Sequence, residues 1–174
     1  MLKHISQFFS SDARRFNVAL GKLVSYLALI LVLITVYDVT LRYVFSAGSV
    51  AIQELQWHVF SLMFLLGAAY TFDEDGHVRV DVIYSSRGER YRAWVDLLGS
   101  LFFLLPFSVL IIWASIPYVA DSFALIESSA DPGGLPFRFL IKAAIPACFV
   151  LLFFQGVFQV LSSLRVLLGR ADSV

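Results

Sequence analysis

Four long stretches without charged residues constrain the fold of this chain more than any other feature. They cover residues 23–37, 55–72, 97–120 and 143–164, with lengths of 15, 18, 24 and 22 residues. A helix that crosses a bilayer needs about 20 apolar residues. The last three stretches meet this directly, and the first meets it if Lys22 reaches the headgroups and Asp38 lies near the far interface.

The sequence therefore predicts an all-α membrane protein in which residues 1–174 form a single domain with four transmembrane helices. The spans are predicted at about 20–41, 52–72, 95–118 and 139–166. Helices satisfy their own backbone hydrogen bonds inside hydrocarbon, and no series of ten-residue alternating segments indicates a barrel.

Composition agrees with this class and excludes others. Hydrophobic residues make up 59% of the chain and charged residues only 15%, with a net charge of zero, whereas soluble proteins carry about 25% charged residues. A soluble domain, a disordered chain and a nucleic-acid-binding protein are excluded. A single cysteine, Cys148, excludes a disulfide or a cysteine-based metal site within one chain.

The distribution of basic residues predicts the orientation. Ten of the 13 lysines and arginines lie in or next to the N-terminal segment, the middle loop and the C-terminal segment. The other three are Arg42, Arg138 and Lys142. The positive-inside rule then places both termini in the cytoplasm. The first apolar segment is predicted to remain as a span, because charged residues separate its core from any cleavage site of a signal peptide.

The two longer loops carry distinct signals. The second span is expected to end near Phe72, because the carboxylates that follow oppose the dipole at a helix C-terminus. Residues 78–82 alternate as a strand would, but a lone strand has no partner, so a short interfacial helix is predicted for residues 78–91. In the external loop, Pro132 and Gly133 fit a type II turn, and Pro136 fits the first turn of the fourth helix.

Polar residues in or near the spans are the candidate functional groups. Glu54 and His58 share one helix face. Glu54 is interpreted as a boundary charge near the helix N-terminus or a contact between subunits, and it could also pair with Arg42. A place on a proton or ion path is the alternative. An ion pair within one helix is predicted between Asp38 and Arg42.

A polar and small-residue stripe marks the fourth span at Gln155, Gly156 and Gln159. Such a stripe usually faces another helix, and substrate contact is the alternative. Pro146 is expected to kink this helix, and Pro106 and Pro117 to interrupt the third span.

No motif for catalysis or cofactor binding is present. His58 is the only histidine in a span, whereas haem held between helices commonly needs two. No nucleophile–base motif, phosphate loop or zinc signature occurs. We therefore expect neither an enzyme nor a bound cofactor.

Short motifs along the chain resemble those of one membrane protein family. The chain is similar, over about residues 18–168, to the small membrane subunit (the Q-type, DctQ-like subunit) of tripartite ATP-independent periplasmic (TRAP) transporters. The resemblance rests on Glu54 and Trp57, Leu66–Tyr70, Gly76–Val82, Trp94, Asp96–Gly99, Glu127, Gly133–Pro136, Lys142, Pro146 and Gln155–Gly156.

This resemblance implies a non-enzymatic subunit of the bacterial inner membrane. Its partners would be a large multi-span subunit, a periplasmic solute-binding protein and membrane lipids, in sodium-coupled uptake of an organic acid or related solute. The alternatives are a self-sufficient oligomeric transporter that uses Glu54 for proton coupling, and a membrane anchor for a redox enzyme.

The resemblance and the polar patterns together assign candidate roles to three groups of residues. Subunit contacts are predicted for Glu54, Trp57, Gln155, Gly156 and Gln159. A cytoplasmic interfacial motif is predicted at Gly76, His77, Arg79 and Asp81. Contacts of the external loop are predicted for Glu127, Gly133, Gly134, Pro136 and Lys142.

Overall fold

The computed structural model describes residues 2–73 and 88–169, with side chains from residue 18 onward except residue 73, and these parts are entirely helical apart from their connections. A π-helical turn, Ser100–Leu104, joins the third and fourth α-helices into one continuous rod. The α-helices are α1 (Leu2–Val44), α2 (Val50–Asp73), α3 (Glu89–Gly99), α4 (Leu105–Ala124) and α5 (Phe139–Leu167).

Within the residues that the structure describes, four helical segments are long and apolar enough to cross a membrane, as predicted. They are Val18–Val44, Val50–Phe72, Glu89–Ala124 and Phe139–Leu167. α2 is described as far as Asp73, next to the omitted residues 74–87, so the end expected near Phe72 stays a prediction. The third span has 36 residues and is longer than predicted, because its helix continues past the charges that were taken to delimit it.

The predicted interfacial helix lies mainly outside the described residues. The motif Gly76, His77, Arg79 and Asp81 falls within 74–87, which the description omits. The last residues of the predicted element, from Glu89 onward, belong to α3 and therefore to the third span.

The spans pack side by side in the order α1, α2, α5 and third span. α1 packs against α2, α2 against α5, and α5 against α3, the π turn and α4. Among the described residues no extensive contact joins α1 to the third span, so the row is open and does not close into a bundle. Each outer helix is consequently held along one side only.

The seam between α1 and α2 follows a seven-residue pattern. From residue 18 onward, the less exposed positions of α1 are 20, 21, 24, 27, 28, 31, 34, 38 and 41. Except for 21 and 28, they follow one another in steps of four and three, which suits helices crossing at a shallow angle. Near one end of the seam the ring of Tyr70 lies against Gly21, where an added Cβ would be 2.6 Å from the ring. The absence of a side chain at Gly21 therefore allows this close contact.

The buried side of α4 is lined by three serines. Ser108, Ser115 and Ser122 are seven residues apart and all are buried. Small side chains let helix backbones approach closely, which favours association in lipid. We infer that these serines set the close packing of α4 against α5.

The π turn keeps the buried side of the third span continuous. The buried positions Ala93 and Ser100 are seven residues apart, but the next buried serine, Ser108, follows after eight. The π turn contributes the additional residue through an i→i+5 bond from the Leu105 N–H to the Ser100 carbonyl. The turn ends two residues before Pro106, whose ring would collide with the carbonyl four residues earlier in a regular helix.

Two contacts join α5 to its neighbours in the row. The Cys148 thiol donates to the carbonyl oxygen of Leu65 in α2 at 2.7 Å. On the third-span side, a Cβ added to Gly156 would lie 2.9 Å from Leu104 and 3.0 Å from Leu105. Gly156 therefore lies in the contact between α5 and the third span of this chain.

Substitution of Gly156 by leucine is expected to destabilise the packing of α5 against the third span by about 1–3 kcal/mol, the usual cost of overpacking. The measurement is thermal unfolding of the purified chain in detergent. Gly99→Leu is the matched control, because no atom lies within 4 Å of its added Cβ. Equal losses of stability in both variants would contradict the proposed seam.

Candidate functional site

The Glu54 carboxylate, near the start of α2, is hydrogen-bonded to a distant part of the chain. It lies at the end of the molecule that holds the α1–α2 connection and the α4–α5 loop, called here the loop end. The Ser129 hydroxyl donates to one carboxylate oxygen, and the Leu135 backbone N–H donates to the other at 2.6 Å. Glu54 thus anchors the α4–α5 loop to α2.

The α4–α5 loop has a backbone shape that brings these donors to Glu54. Gly133 has φ of 81°, and the Gly134 N–H donates to the Asp131 carbonyl at 3.0 Å, which confirms the type II turn. The Ser129 N–H donates to the Leu135 carbonyl at 3.0 Å and closes the loop. A Cβ at Gly134 would meet the Ser129 side chain and would lie 2.8 Å from the Glu54 oxygen.

A second ion pair ties the loop to α5. The Lys142 ammonium pairs with the Glu127 carboxylate and also lies 4.1 Å from the centre of the Tyr118 ring. The hydrogen bond from Lys142 holds the pKa of Glu127 below its usual value. Three elements, the loop, α4 and α5, therefore meet at Lys142.

A third polar contact lies in α1. Asp38 and Arg42 form the predicted ion pair. Arg42 therefore pairs with Asp38, and the alternative that it pairs with Glu54 is not what the structure shows. The Asp38 side chain is buried, and its second oxygen has no partner among the described residues. Gln56 of α2 also has a buried amide nitrogen without a described partner. Both residues lie about 9 Å from the α1–α2 connection, counted along their helices.

The predicted site residues that the structure describes fall into two separate regions. At the loop end, Glu54 meets Gly134, and Glu127 meets Lys142. Trp57 lies one turn further along α2 with 69% of its surface exposed. Pro136 was predicted in the first turn of the fourth span, but this span, α5, begins only at Phe139. The left-handed backbone of Phe137, with φ of 62°, separates Pro136 from the helix.

The stripe on α5 lies away from the loop end. Gly156 packs on the third span, while Gln155 and Gln159 are half-buried beside it. The side-chain oxygen of Gln155 is buried and has no partner among the residues that the structure describes. Pro146 and Pro117 lie inside helices that continue through them.

Several important positions were not predicted from the sequence. Ser129 gave no signal, because its role depends on the distant Glu54. Arg138, which precedes α5, was counted only as a basic residue. The serines of α4 did offer a signal, since a spacing of seven within an apolar span predicts a helix contact.

At the loop end, the Glu54 carboxylate connects two segments of the chain. Glu54 receives one donor on each oxygen, so it acts as an acceptor that holds two segments together. Within the described ranges, no group of three histidine, cysteine, aspartate or glutamate side chains is placed to hold a metal ion.

Comparison with known proteins identifies the family. Residues 31–166 match the model of the family described as tripartite ATP-independent periplasmic transporters, DctQ component. The chain belongs to this family. A search of curated proteins found no match.

Membership of the DctQ family makes this chain a small permease component of a TRAP transporter. Its four apolar helices are the expected spans of a multi-pass membrane protein. The match includes Glu54 and the α4–α5 loop, so the anchored loop lies within the family's common region.

Replacement of Glu54 by glutamine is expected to release the α4–α5 loop from α2. The amide keeps the size of the carboxylate, but its NH2 group faces a donor and cannot accept from it. An Ala130→Cys reporter in the loop should then react several-fold faster with a thiol reagent. Gln53→Ala, at an exposed neighbouring position, should leave the rate unchanged. An unchanged rate in Glu54→Gln would contradict the anchoring role.

The stability that the Glu127–Lys142 pair contributes is expected to depend on pH. Because folding lowers the pKa of Glu127 from 4.5, this contribution is complete above that value and is lost as the pH falls through the lower folded-state pKa. Thermal unfolding between pH 7 and pH 3 should show a larger loss of stability in the wild type than in Glu127→Gln, which keeps only the loss from other carboxylates such as Glu54. Parallel pH profiles for the two proteins would contradict the pairing.

Proposed function

We propose that this chain supports a large multi-span subunit during sodium-coupled uptake of an organic acid or related small solute that a periplasmic binding protein delivers. The observation that carries the proposal is the family match over residues 31–166. In this proposal the substrate and sodium sites lie on the large subunit, and the chain acts in the bacterial inner membrane without catalysis.

The open row of helices supports a role as a scaffold. Between 6% and 17% of the residues in the most apolar part of each span are buried within the chain, which leaves broad apolar surfaces for a partner or for lipid. A row that is one helix thick has no central space between spans. A solute path through this chain alone would lack the surrounding helices that such a path needs.

We propose that the partner contacts include Trp57, Gln155 and Gln159. Trp57 supports this because it is highly exposed near the loop end, and large aromatic side chains often anchor interfaces. Glu54 and Gly156 would contribute by holding the loop and the α5 seam in place. The loop residues Glu127, Gly133, Gly134, Pro136 and Lys142 would shape the surface that faces the binding protein.

In the proposed orientation both termini lie in the cytoplasm and the loop end faces the periplasm. The basis is the ten-to-three distribution of basic residues. The motif Gly76, His77, Arg79 and Asp81 would then lie on the cytoplasmic side at the membrane surface.

Cysteine labelling in intact cells tests this orientation. Cysteines are introduced separately at Lys3 and at the exposed Ser128, and a membrane-impermeant reagent is applied. We expect labelling at position 128 only, with both positions labelled after the cells are opened. Labelling at position 3 in intact cells would reverse the orientation.

The alternative function is a self-sufficient oligomeric transporter in which Glu54 carries the coupling proton. A specific observation counts against it, because both Glu54 oxygens already accept hydrogen bonds from the loop. Proton transport through Glu54 would require the loop to detach in each cycle.

Reconstitution in liposomes separates the two functions. Liposomes with this chain alone are expected to take up no solute, even with a sodium or proton gradient and the binding protein present. Liposomes that also contain the large subunit are expected to take up solute when sodium and the binding protein are supplied. Uptake by this chain alone, abolished by Glu54→Gln, would establish the alternative.

A further inference from the structure

A groove opens at the loop end between α2, α4 and α5. Its volume is about 340 Å³, near the lower end of the range of small-molecule sites. Two basic side chains, Arg138 and Lys142, line it together with a larger number of apolar and aromatic groups. The remaining lining residues are Phe60, Ser61, Phe64, Leu65, Tyr118, Ile141 and Ile145.

Charge and apolar surface are separated along this groove. Lys142 and Ile145 lie three residues apart on one face of α5, and Arg138, the helical N-cap residue of α5, lies four residues before Lys142. The distance from Arg138 to Ile145 along the helix is about 10 Å. The two cations therefore stand at the loop end, and the apolar wall of Phe64, Leu65 and Ile145 runs from them toward the membrane interior.

Arg138 keeps donors for an anion, while its charge also acts on the nearby carboxylates of Glu54 and Glu127. No hydrogen bond or ion pair of its guanidinium joins it to another side chain in the part of the chain that the structure describes. Its planar group offers several N–H donors in a geometry that suits phosphate oxygens. Lys142 differs, because it is already paired with Glu127 and contributes only its remaining donors.

The groove is accessible from outside the chain. Phe64 is 65% exposed and Tyr118 is 51% exposed, although both line it. These aromatic surfaces lie on helices that span the membrane, so in the isolated chain the surrounding medium at this depth is lipid.

We propose that this groove binds an anionic membrane phospholipid. The headgroup phosphate lies between Arg138 and Lys142, and the upper part of one acyl chain packs against Phe64, Leu65 and Ile145. A molecule with a charged end and an apolar tail matches the order of cations and apolar wall. A free inorganic anion would leave the apolar wall without a partner.

Lipid binding to the purified, delipidated full chain tests the proposal. Native mass spectrometry measures the affinity for phosphatidylglycerol and for phosphatidylcholine, with and without millimolar inorganic phosphate. We expect phosphatidylglycerol to bind more tightly, and inorganic phosphate to compete poorly. Arg138→Gln should weaken phosphatidylglycerol binding about tenfold, the factor of one charge-assisted hydrogen bond.

Two further variants separate the site from general effects. Arg165→Gln removes an exposed arginine near the opposite end of the same helix and should leave binding unchanged. Ser61→Phe keeps both cations but fills the groove, and it should weaken phosphatidylglycerol binding as Arg138→Gln does. Circular dichroism and gel filtration confirm that each variant is folded before its affinity is compared.

Four results would overturn the proposal. Equal losses in Arg138→Gln and Arg165→Gln would indicate general attraction to charge. Full competition by inorganic phosphate would indicate a free-anion site. Unchanged binding in Ser61→Phe would remove the role of the groove. Loss of the wild-type binding when the large subunit is bound would assign the groove to the subunit interface.

Discussion

Close contact between helices through small side chains is the interaction on which this structure depends. In lipid, apolar side chains gain little by leaving their surroundings, so helices associate through tight packing and scattered hydrogen bonds. Gly21 meets Tyr70 in the first seam, the Cys148 thiol bonds Leu65 in the second, and Gly156 meets Leu104 in the third. Three narrow seams thereby hold four spans in a row.

Polar contacts at the loop end hold the α4–α5 loop in place, which the helix seams do not. Glu54 binds the α4–α5 loop, and Lys142 joins that loop to α4 and α5. The seams alone would leave the connecting segment free to move, because α2 and α4 are not neighbours in the row. The carboxylate of Glu54 gives the loop a fixed position relative to α2, which a partner surface formed by the loop requires.

The sequence predicted the four spans and the Asp38–Arg42 pair, because each depends on neighbouring residues. The partners of Glu54 depend on residues 75 and 81 positions away, and no local pattern encodes such a contact. The same limit explains Pro136, which suits a helix start locally but precedes a left-handed residue that delays α5. The order of the helices in the open row could not be predicted either, because apolar segments identify the spans but not which spans contact each other.

The π turn has a consequence for how the length of the third span can change. It accommodates one residue more than a regular helix would place between Ser100 and Ser108. Elsewhere in the span, loss of one residue would rotate every later side chain by about 100° and turn the serines away from α5. Within residues 100–104, and with alanine in place of Pro106, the same deletion would convert the turn to ordinary helix and keep the serines facing α5. The span thus holds one position at which relatives can differ in length without rearranging their packing.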